Sequence, residues 1–346
     1  MSLLEQLRTL KLKLSSSIPT IIEPSADIVD SIVKNLLKIY QPLPFYTLFG
    51  KDAVDYVCKL SARYACWSIP PKDLTKDNTT IQGYALWLSI VWMIDGLCDK
   101  YRSLFTTEDV TILGNILTGG DCQWLLSKHP VLKLLFVMTG VVYERYLTLT
   151  AKCRVRNPLA YAKINYWLLR YFDTLLDDDK RVFTLPEYRE WRLDGGAMMC
   201  VVWHLVLLSE EFEPIDRIQA DAPFELTSLV VSYHNDLLSL HRDIQQGTPN
   251  LATTINNTNY WQAGRAAVII VENMYPELAE MLLVLPQYVS DICASIAVGS
   301  YHWAHSEKRY AKGLAMLQLL CNDEEELFLK QLVQVTEVAG DPTLAK

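Results

Sequence analysis

The sequence has no long apolar run and no excess of basic residues. Its longest apolar stretches, residues 86–95, 134–142 and 197–208, fall far short of the ~18 residues that a membrane-spanning helix needs. Lys and Arg number 32 against 40 Asp and Glu, a formal net charge of −8, whereas a nucleic-acid-binding domain carries clustered basic residues. We therefore expect neither an integral membrane segment nor a nucleic-acid partner.

Cysteine pairs with the spacing of metal or redox sites are also missing. No two of the eight cysteines form a CxxC motif, which argues against zinc-ribbon and thioredoxin-like proteins. Residues 1–17 contain no continuous apolar segment followed by a small-residue cleavage site, so we expect no secretory signal. These absences predict a soluble cytoplasmic protein whose thiols are reduced and buried.

Glycine and proline are few, at 14 and 15 residues, and apolar residues recur mainly at helical spacing. The spacing is clear in residues 161–176, 226–240 and 311–333, and no series of short strands with turn signals occurs. The sequence predicts an all-α fold, a single-domain bundle of about ten or more helices over residues 21–340. We expect residues 1–20 to form a flexible N-terminal arm.

One helical segment, residues 235–243, places oxygen donors at intervals of four residues. Each step of four turns only ~40° around a helix, so Asn235, Ser239 and Asp243 lie along one stripe. Amide, hydroxyl and carboxylate oxygens are the hard ligands that Mg²⁺ prefers. Because the surrounding segment is strongly apolar, we favour a metal site over a solvated polar face. Arg242 lies beside this stripe and can reach an anion.

A second pair of acids, Asp95 and Asp99, closes an apolar run with the same spacing. Carboxylates at the end of a buried helix need a partner, and a cation is one candidate. This signal is weak by itself, because a helix that surfaces at Asp95 has the same pattern. Lys100 or Arg102 could equally be the partner.

Arginine also occurs beside aromatic residues and glycines near two later segments. Arg309-Tyr310 lies near the C-terminus, and Arg189 and Arg192 precede a Gly-Gly pair. The forked donors of Arg suit phosphate oxygens, although each of these residues by itself is more typical of a surface Arg.

Together these segments resemble the motifs of class I terpene synthases of the microbial, non-plant type. Residues 235–243 match the family's metal motif, (N/D)DxxSxx(K/R)(E/D), at every position, with Asp243 where Glu is commoner. Asp95-Gly96-x-x-Asp99 is similar to the aspartate-rich motif DDxxD, with Gly96 in place of the second acid.

The arginine segments resemble two further features of the same family. Arg309-Tyr310 is similar to its late Arg-Tyr pair. The Gly-Gly segment resembles its diphosphate sensor, with Arg192 as the sensor and Gly196 as the residue whose carbonyl faces the substrate. Arg189 is the competing sensor candidate. The resemblance extends from about residue 66 to residue 310.

The resemblance implies the class I terpenoid synthase fold, with helices around a central apolar cavity. It also implies a prenyl diphosphate substrate and about three Mg²⁺ ions, with Mn²⁺ as an alternative. Asp95, alone or with Asp99, would bind ions on one wall of the cavity. The ligands on the other wall would be Asn235, Ser239 and Asp243. Diphosphate oxygens would be bound by Arg192, Arg242, Arg309 and Tyr310.

Aromatic and apolar side chains would then line the cavity below the metal ions. On the helix of Asp95, Leu88 and Trp92 lie on the inward face, and Trp303 could supply another ring that stabilises a cation. Three other tryptophans are assigned to core packing: Trp87, Trp167 and Trp203. We assign His234 to packing or to the helix surface.

The residues and the resemblance lead to one expected function and two alternatives. We expect a Mg²⁺-dependent terpene cyclase, a monomer or homodimer, that ionises farnesyl diphosphate and cyclises the resulting carbocation to a sesquiterpene. A chain-elongating prenyl transferase of the same fold would carry a second DDxxD-type motif, which this sequence lacks. A non-catalytic helical scaffold or binding protein would leave Asn235, Ser239 and Asp243 exposed and replaceable.

Overall fold

The structure, a computed structural model, describes residues 23–70, 73–74, 78–120, 129–176, 181–210, 221–256 and 258–339, the last seven by their backbone alone. The expected N-terminal arm, residues 1–20, lies outside the described residues. The domain boundaries at residues 21 and 340 therefore stay predictions.

The described residues form sixteen α-helices and two 3-10 helices, and they contain no β-strand. In chain order the α-helices are α1 (Ala26–Tyr40), α2 (Phe45–Phe49), α3 (Lys51–Ser68), α4 (Asn78–Lys100), α5 (Thr107–Ile116), α6 (Pro130–Leu149), α7 (Ala151–Arg156), α8 (Pro158–Thr174), α9 (Leu185–Gly195), α10 (Met198–Leu208), α11 (Asp221–Gln246), α12 (Leu251–Ile255), α13 (Tyr260–Leu283), α14 (Gln287–Ser306), α15 (Ala311–Asn322) and α16 (Glu325–Ala339). The 3-10 helices are Arg102–Leu104 and Lys308–Tyr310. The predicted all-α fold is confirmed.

Side-chain caps start several of these helices. Before α5, the Thr106 hydroxyl accepts a hydrogen bond from the Asp109 N–H, and the Asp109 carboxylate accepts one from the Thr106 N–H. The same reciprocal pair forms between Thr184 and Glu187 at the start of α9. Each cap satisfies N–H groups that the first helical turn leaves without a partner.

Two helices, α4 and α11, carry the predicted metal ligands and lie in different parts of the core. α11 packs against α9, α10, α13, α14 and α15, whereas α4 packs against α1, α3 and α6. Gly313 lets α15 lie directly on α11, because a Cβ atom there would collide with the carbonyl oxygen of Leu238. The interior of the bundle therefore positions both metal-ligand helices.

Helix α4 is long and apolar enough by length and composition to cross a membrane. However, 72% of its apolar stretch is buried inside the protein, as in a core helix. Seven of the eight cysteines lie in the described part of the chain, and each is a free thiol. Cys122 lies outside the described residues.

Candidate active site

The structure brings every predicted site residue to one cavity of about 710 Å³. The thirteen residues that line it as predicted are Leu88, Trp92, Asp95, Asp99, Arg192, Gly196, Asn235, Ser239, Arg242, Asp243, Trp303, Arg309 and Tyr310. They come from helices α4, α9, α11 and α14 and from the segments that follow α9 and α14. Their chemical roles stay predictions.

The oxygen donors of α11 form the stripe that their spacing predicts. Ser239 and Asp243 are buried and Asn235 is half-buried. The Ser239 hydroxyl donates a hydrogen bond to the Asp243 carboxylate, and Asn250 Nδ2 donates to the same carboxylate at 2.8 Å. Arg242 lies 3.1 Å from its other oxygen. Both carboxylate oxygens of Asp243 therefore have polar neighbours at the cavity wall.

Helix α4 also contributes to the cavity wall, where its two acids differ in exposure. Asp95 is half-buried and accepts a hydrogen bond of 2.7 Å from the Tyr171 hydroxyl, whereas Asp99 is exposed one turn later. Gly96, which replaces the second acid of the motif, also lines the cavity, and a Cβ atom there would meet nothing within 4 Å. The position therefore has room for a side chain.

Charged side chains from other helices act on Asp95 of α4. Burial raises the pKa of Asp95, and the opposing influences are the hydrogen bond from Tyr171 and the charges of Arg309, Arg192 and Arg242. All three arginines predicted to bind diphosphate therefore act on this one carboxylate. Cationic and acidic groups therefore lie together at this part of the cavity, as an anion bound together with cations requires.

The donor set fits magnesium bound together with a phosphate compound. No group of three His, Cys, Asp or Glu side chains in the described residues could hold a metal ion by itself. The stripe on α11 instead combines one carboxylate with amide and hydroxyl oxygens. Mg²⁺ is typically bound by one or two carboxylates, with substrate phosphates and water as its other ligands, so these residues suit it.

Arg192, and not Arg189, reaches the cavity from α9. Arg192 Nη2 lies 2.9 Å from Asp236 Oδ1, and the Tyr188 hydroxyl donates to the other Asp236 oxygen at 2.7 Å. Burial raises the pKa of Asp236 to about 6, against the influence of Arg192 and Tyr188. The Nε–H of Arg192 is buried without a hydrogen-bond partner among the described residues. Arg189 is exposed and does not line the cavity.

The chain bends sharply between α9 and α10, where Gly196 lies. The two helices meet at 46°, and Ala197 adopts a left-handed φ of 53°, a strained conformation for a residue with a Cβ atom. A Cβ atom on Gly196 would lie 2.6 Å from the Ser232 hydroxyl and 2.8 Å from the Arg192 carbonyl oxygen. Glycine therefore lets this bend approach α11 closely.

The 3-10 helix after α14 contacts both α11, which carries predicted metal ligands, and the aromatic residues of the cavity. The Tyr310 hydroxyl accepts a hydrogen bond of 2.9 Å from Asn235 Nδ2, and its ring packs edge-on against Trp303 at 5.6 Å. The Arg309 guanidinium lies over the Tyr310 ring at 4.7 Å. Both residues are thus fixed next to the predicted ligand Asn235.

Below the charged end, the cavity wall is aromatic. Trp92 and Trp303 stack with their ring centroids 5.9 Å apart, and Tyr64 packs edge-on against both. Trp87, assigned to core packing, is buried in the core against His204, and it also lines the cavity. Trp87 lies eight residues before Asp95, two helical steps of four along the same stripe, next to the stripe of Leu88 and Trp92.

Trp167 and Trp203 do not line the cavity, in agreement with their assignment to core packing. Trp203 is buried and packs edge-on against Phe224. His234 is buried and stacks on Tyr301, which agrees with packing rather than with a place on the helix surface. It also lines the cavity.

Several cavity residues escaped the sequence analysis. Tyr171 and Tyr64 lie on long helices without any local motif, so only the fold brings them to the cavity. Asp236 belongs to the quoted metal motif, and its place beside Asn235 could have indicated a role. Asn250, shortly after the same motif, is buried behind the cavity wall and does not itself line the cavity. Its side chain contacts both the Asp236 carbonyl oxygen and the Asp243 carboxylate at 2.8 Å.

The sequence and the fold are each similar to those of known proteins. No family model matches the sequence. The chain is 28% identical over 195 residues to the (+)-T-muurolol synthase of Streptomyces clavuligerus, which is described as farnesyl diphosphate cyclizing. That similarity covers 50% of this chain and 46% of the relative, so the chain spans about half the length of the curated relative that it matches.

Solved structures resemble the whole bundle. A variant of cucumene synthase superimposes with a TM-score of 0.62 at 13% identity, over 84% of this chain and 99% of the other. The linalool/nerolidol synthase from Streptomyces clavuligerus, in complex with 2-fluorogeranyl diphosphate, gives 0.60 at 12% identity, over 84% and 98%. At this identity the likeness shows the fold. The chain is thus similar over half of its length to a bacterial terpene synthase, and its fold is that of the solved terpene synthase structures.

Proposed function

We propose that the protein is a Mg²⁺-dependent terpene cyclase that ionises farnesyl diphosphate and cyclises the cation to a sesquiterpene. The observation that carries this proposal is the meeting of the oxygen stripe of α11, the Asp95 carboxylate and three arginines at one end of an aromatic-lined cavity. The choice of farnesyl diphosphate is supported by the substrate of the curated relative. A cavity of about 710 Å³ lies within the range of small-ligand pockets.

Both walls would hold the metal ions. Asp95, alone or with Asp99, would serve on α4, and the ligands on α11 would be Asn235, Ser239 and Asp243, for about three Mg²⁺ ions or Mn²⁺. When bound, these ions neutralise the negative charge that develops on the diphosphate as the allylic C–O bond breaks.

The chain's own donors would bind the leaving group. Arg192, Arg242 and Arg309 offer forked N–H groups to diphosphate oxygens. The Tyr310 hydroxyl already accepts a hydrogen bond from Asn235, so its own proton is free to be donated to a diphosphate oxygen. Donors that are in place before the reaction stabilise the developing charge without reorganisation.

The aromatic wall would serve the carbocation. The ring faces of Trp92 and Trp303, with Tyr64 and Trp87 beside them, attract a cation without attacking it. Arg309 and Tyr310 would close the mouth of the cavity and exclude water, which otherwise captures the cation.

The two alternatives make different predictions. The burial of Ser239 and Asp243 disfavours a scaffold with an exposed polar stripe. A prenyl transferase shares this fold, but the stripe of α11 does not carry the second DDxxD-type motif that it would need. We place the enzyme in the cytoplasm, as a monomer or homodimer.

The test is incubation of the purified protein with geranyl, farnesyl or geranylgeranyl diphosphate, with Mg²⁺ or with EDTA, followed by GC-MS. A cyclic sesquiterpene formed from farnesyl diphosphate only with Mg²⁺ supports the proposal. Longer prenyl diphosphates, formed when isopentenyl diphosphate is added, would support the transferase instead. A scaffold would give no product from any of the three.

A further inference from the structure

The segment that carries Arg309 and Tyr310 is held from two sides. Asn235 on α11 contacts the Tyr310 hydroxyl on one side. On the other side lies Glu307, the single residue between α14 and the 3-10 helix Lys308–Tyr310. Its carbonyl oxygen accepts a hydrogen bond of 3.0 Å from the Tyr310 N–H. The conformation of Glu307 therefore fixes where the turn with Arg309 and Tyr310 lies.

The Glu307 side chain is 8% exposed, which is unusual for a carboxylate. Its partner is Arg63 on α3, whose Nη1 lies 2.8 Å from Glu307 Oε1 as an ion pair, although the two groups are not aligned as a hydrogen bond. Arg63 Nη2 also donates to the Ser306 hydroxyl at 3.0 Å. One guanidinium on α3 thus binds two consecutive residues at the end of α14.

Helix α3 is a firm support for this contact. The Tyr64 hydroxyl, next to Arg63, lies 3.0 Å from the Ser300 hydroxyl of α14. At Gly299 a Cβ atom would collide with the Trp67 carbonyl oxygen, so the two backbones touch there. A cation on α3 is therefore held at a fixed position relative to the end of α14.

Arg309, which is predicted to bind diphosphate, also acts on Glu307 through its charge. Burial raises the pKa of Glu307, and both Arg63 and Arg309 oppose that rise. The Glu307 carboxylate is thus influenced by two arginines: Arg63, which does not line the cavity, and Arg309, which does.

We infer that Arg63 and Glu307 are a positioning pair that holds Arg309 and Tyr310 at the diphosphate end of the cavity and so keeps water from the carbocation. This inference rests on the proposed function. Without the Arg63 cation, Glu307 would be a buried carboxylate lacking its ion-pair partner, and the turn would move to solvate it. Water could then bond through its oxygen to the allylic carbon and pass its proton to diphosphate, which yields an acyclic alcohol.

The experiment compares Arg63→Met with Lys51→Met on the same helix. Lys51 forms an exposed ion pair with Asp55 at 2.6 Å, so its removal is a matched loss of one cation from α3. With farnesyl diphosphate and Mg²⁺, Arg63→Met lowers kcat by about tenfold and raises the fraction of acyclic alcohol, since the transition state loses its oriented donors. Lys51→Met keeps the kcat and product distribution of the wild type.

Two further variants separate positioning from general destabilisation. Arg63→Lys keeps the cation and is expected to restore cyclisation to within about twofold of the wild type. Adding Glu307→Gln to Arg63→Met removes the unpaired carboxylate and recovers part of the lost kcat. An unchanged product distribution in Arg63→Met, or a loss of kcat that follows a lower melting temperature in all variants alike, overturns the positioning pair. Absence of turnover in the wild type instead overturns the proposed function and this inference with it.

Discussion

At the residue scale, the acids Asp243 and Asp95 differ in their surroundings. Asp243 contacts three polar side chains, Ser239, Arg242 and Asn250, whereas Asp95 accepts a hydrogen bond from one side chain of the described residues, the Tyr171 hydroxyl. Both carboxylates line the cavity. Each would supply the negative charge that a bound Mg²⁺ ion requires, and amides of the same shape would not.

Asp243→Asn and Asp95→Asn are therefore each expected to lower kcat by at least about a hundredfold, because charge stabilisation of the leaving group is lost. The measurement is steady-state turnover of farnesyl diphosphate over a range of Mg²⁺ concentrations. Asp173→Asn, an exposed position on α8, is the control and keeps the activity of the wild type. Wild-type kcat in either cavity variant would contradict the assignment of metal ligands.

His204 gives a prediction about pH. It is fully buried; its Nδ1 donates to the Cys200 carbonyl oxygen at 2.8 Å, and the Tyr146 hydroxyl lies 3.0 Å from its Nε2. Burial lowers the pKa of His204 from 6.5 to about 3. The unfolded chain therefore takes up this proton first as the pH falls. The stability contributed by neutral His204 is full above pH 6.5 and is lost progressively towards pH 3.

His204→Gln removes the titrating group, so the difference in unfolding free energy between wild type and variant should narrow as the pH falls. The expected narrowing is up to about 1.4 kcal/mol per pH unit below the ordinary histidine pKa. Urea unfolding of both proteins at neutral and mildly acidic pH measures it. A difference that stays constant or widens at acidic pH would show that His204 is not held neutral.

Much of the candidate site could be predicted from residues that form a local pattern. Asn235, Ser239 and Asp243 follow one helical stripe, so a single helix fixes their relative positions. Tyr171 and Asn250 could not be found in this way, because they reach the acids through long-range packing or a turn. The choice between Arg192 and Arg189 also needed the structure, since three residues on a helix separate a half-buried position that lines the cavity from an exposed one that does not.

At the scale of elements, a close backbone contact between α15 and α11 positions α11, the helix that carries Asn235, Ser239 and Asp243. Gly313→Ala would force α15 away from α11, because the added Cβ atom meets backbone rather than a movable side chain. We expect the free energy of unfolding to fall by about 3 kcal/mol. Gly96→Ala on α4 is the matched control, and it is expected to gain about 0.5–1 kcal/mol, since its Cβ atom has open space and alanine favours the helix. Chemical denaturation measures the free energy of unfolding of both variants. Equal stabilities of Gly313→Ala and Gly96→Ala would contradict the importance of the contact between α15 and α11.

Apolar periodicity predicts the long helices but not the short ones. α2, α7 and α12 have five or six residues each, too few for a repeat of 3.6 to emerge. α9 is a further case, since its surface is largely polar and a capping box marks its start more clearly than apolar spacing does. The bend at Ala197 depends on a left-handed residue without glycine, which no local rule favours.

At the scale of the whole molecule, the net charge is −8, whereas the cavity brings four arginines together with four aspartates, so it has groups for both an anion and cations. Mg²⁺ and inorganic diphosphate together should therefore raise the melting temperature, whereas diphosphate with EDTA should not. A ligand present at a hundredfold its Kd stabilises the native state by about 2.7 kcal/mol. Differential scanning fluorimetry measures the shift, and Arg192→Met is expected to reduce it. A shift of equal size with EDTA would mean that metal ions take no part in binding.

The most direct test of the proposed cyclase is the stoichiometry of its reaction with farnesyl diphosphate. Diphosphate release and cyclic product are quantified in the same reaction, with Mg²⁺ and with EDTA. The account predicts equal amounts of diphosphate and cyclic sesquiterpene, formed only with Mg²⁺, because ionisation and ring closure occur in one cavity. Absence of diphosphate release with Mg²⁺, or release that is unchanged by EDTA, would contradict it.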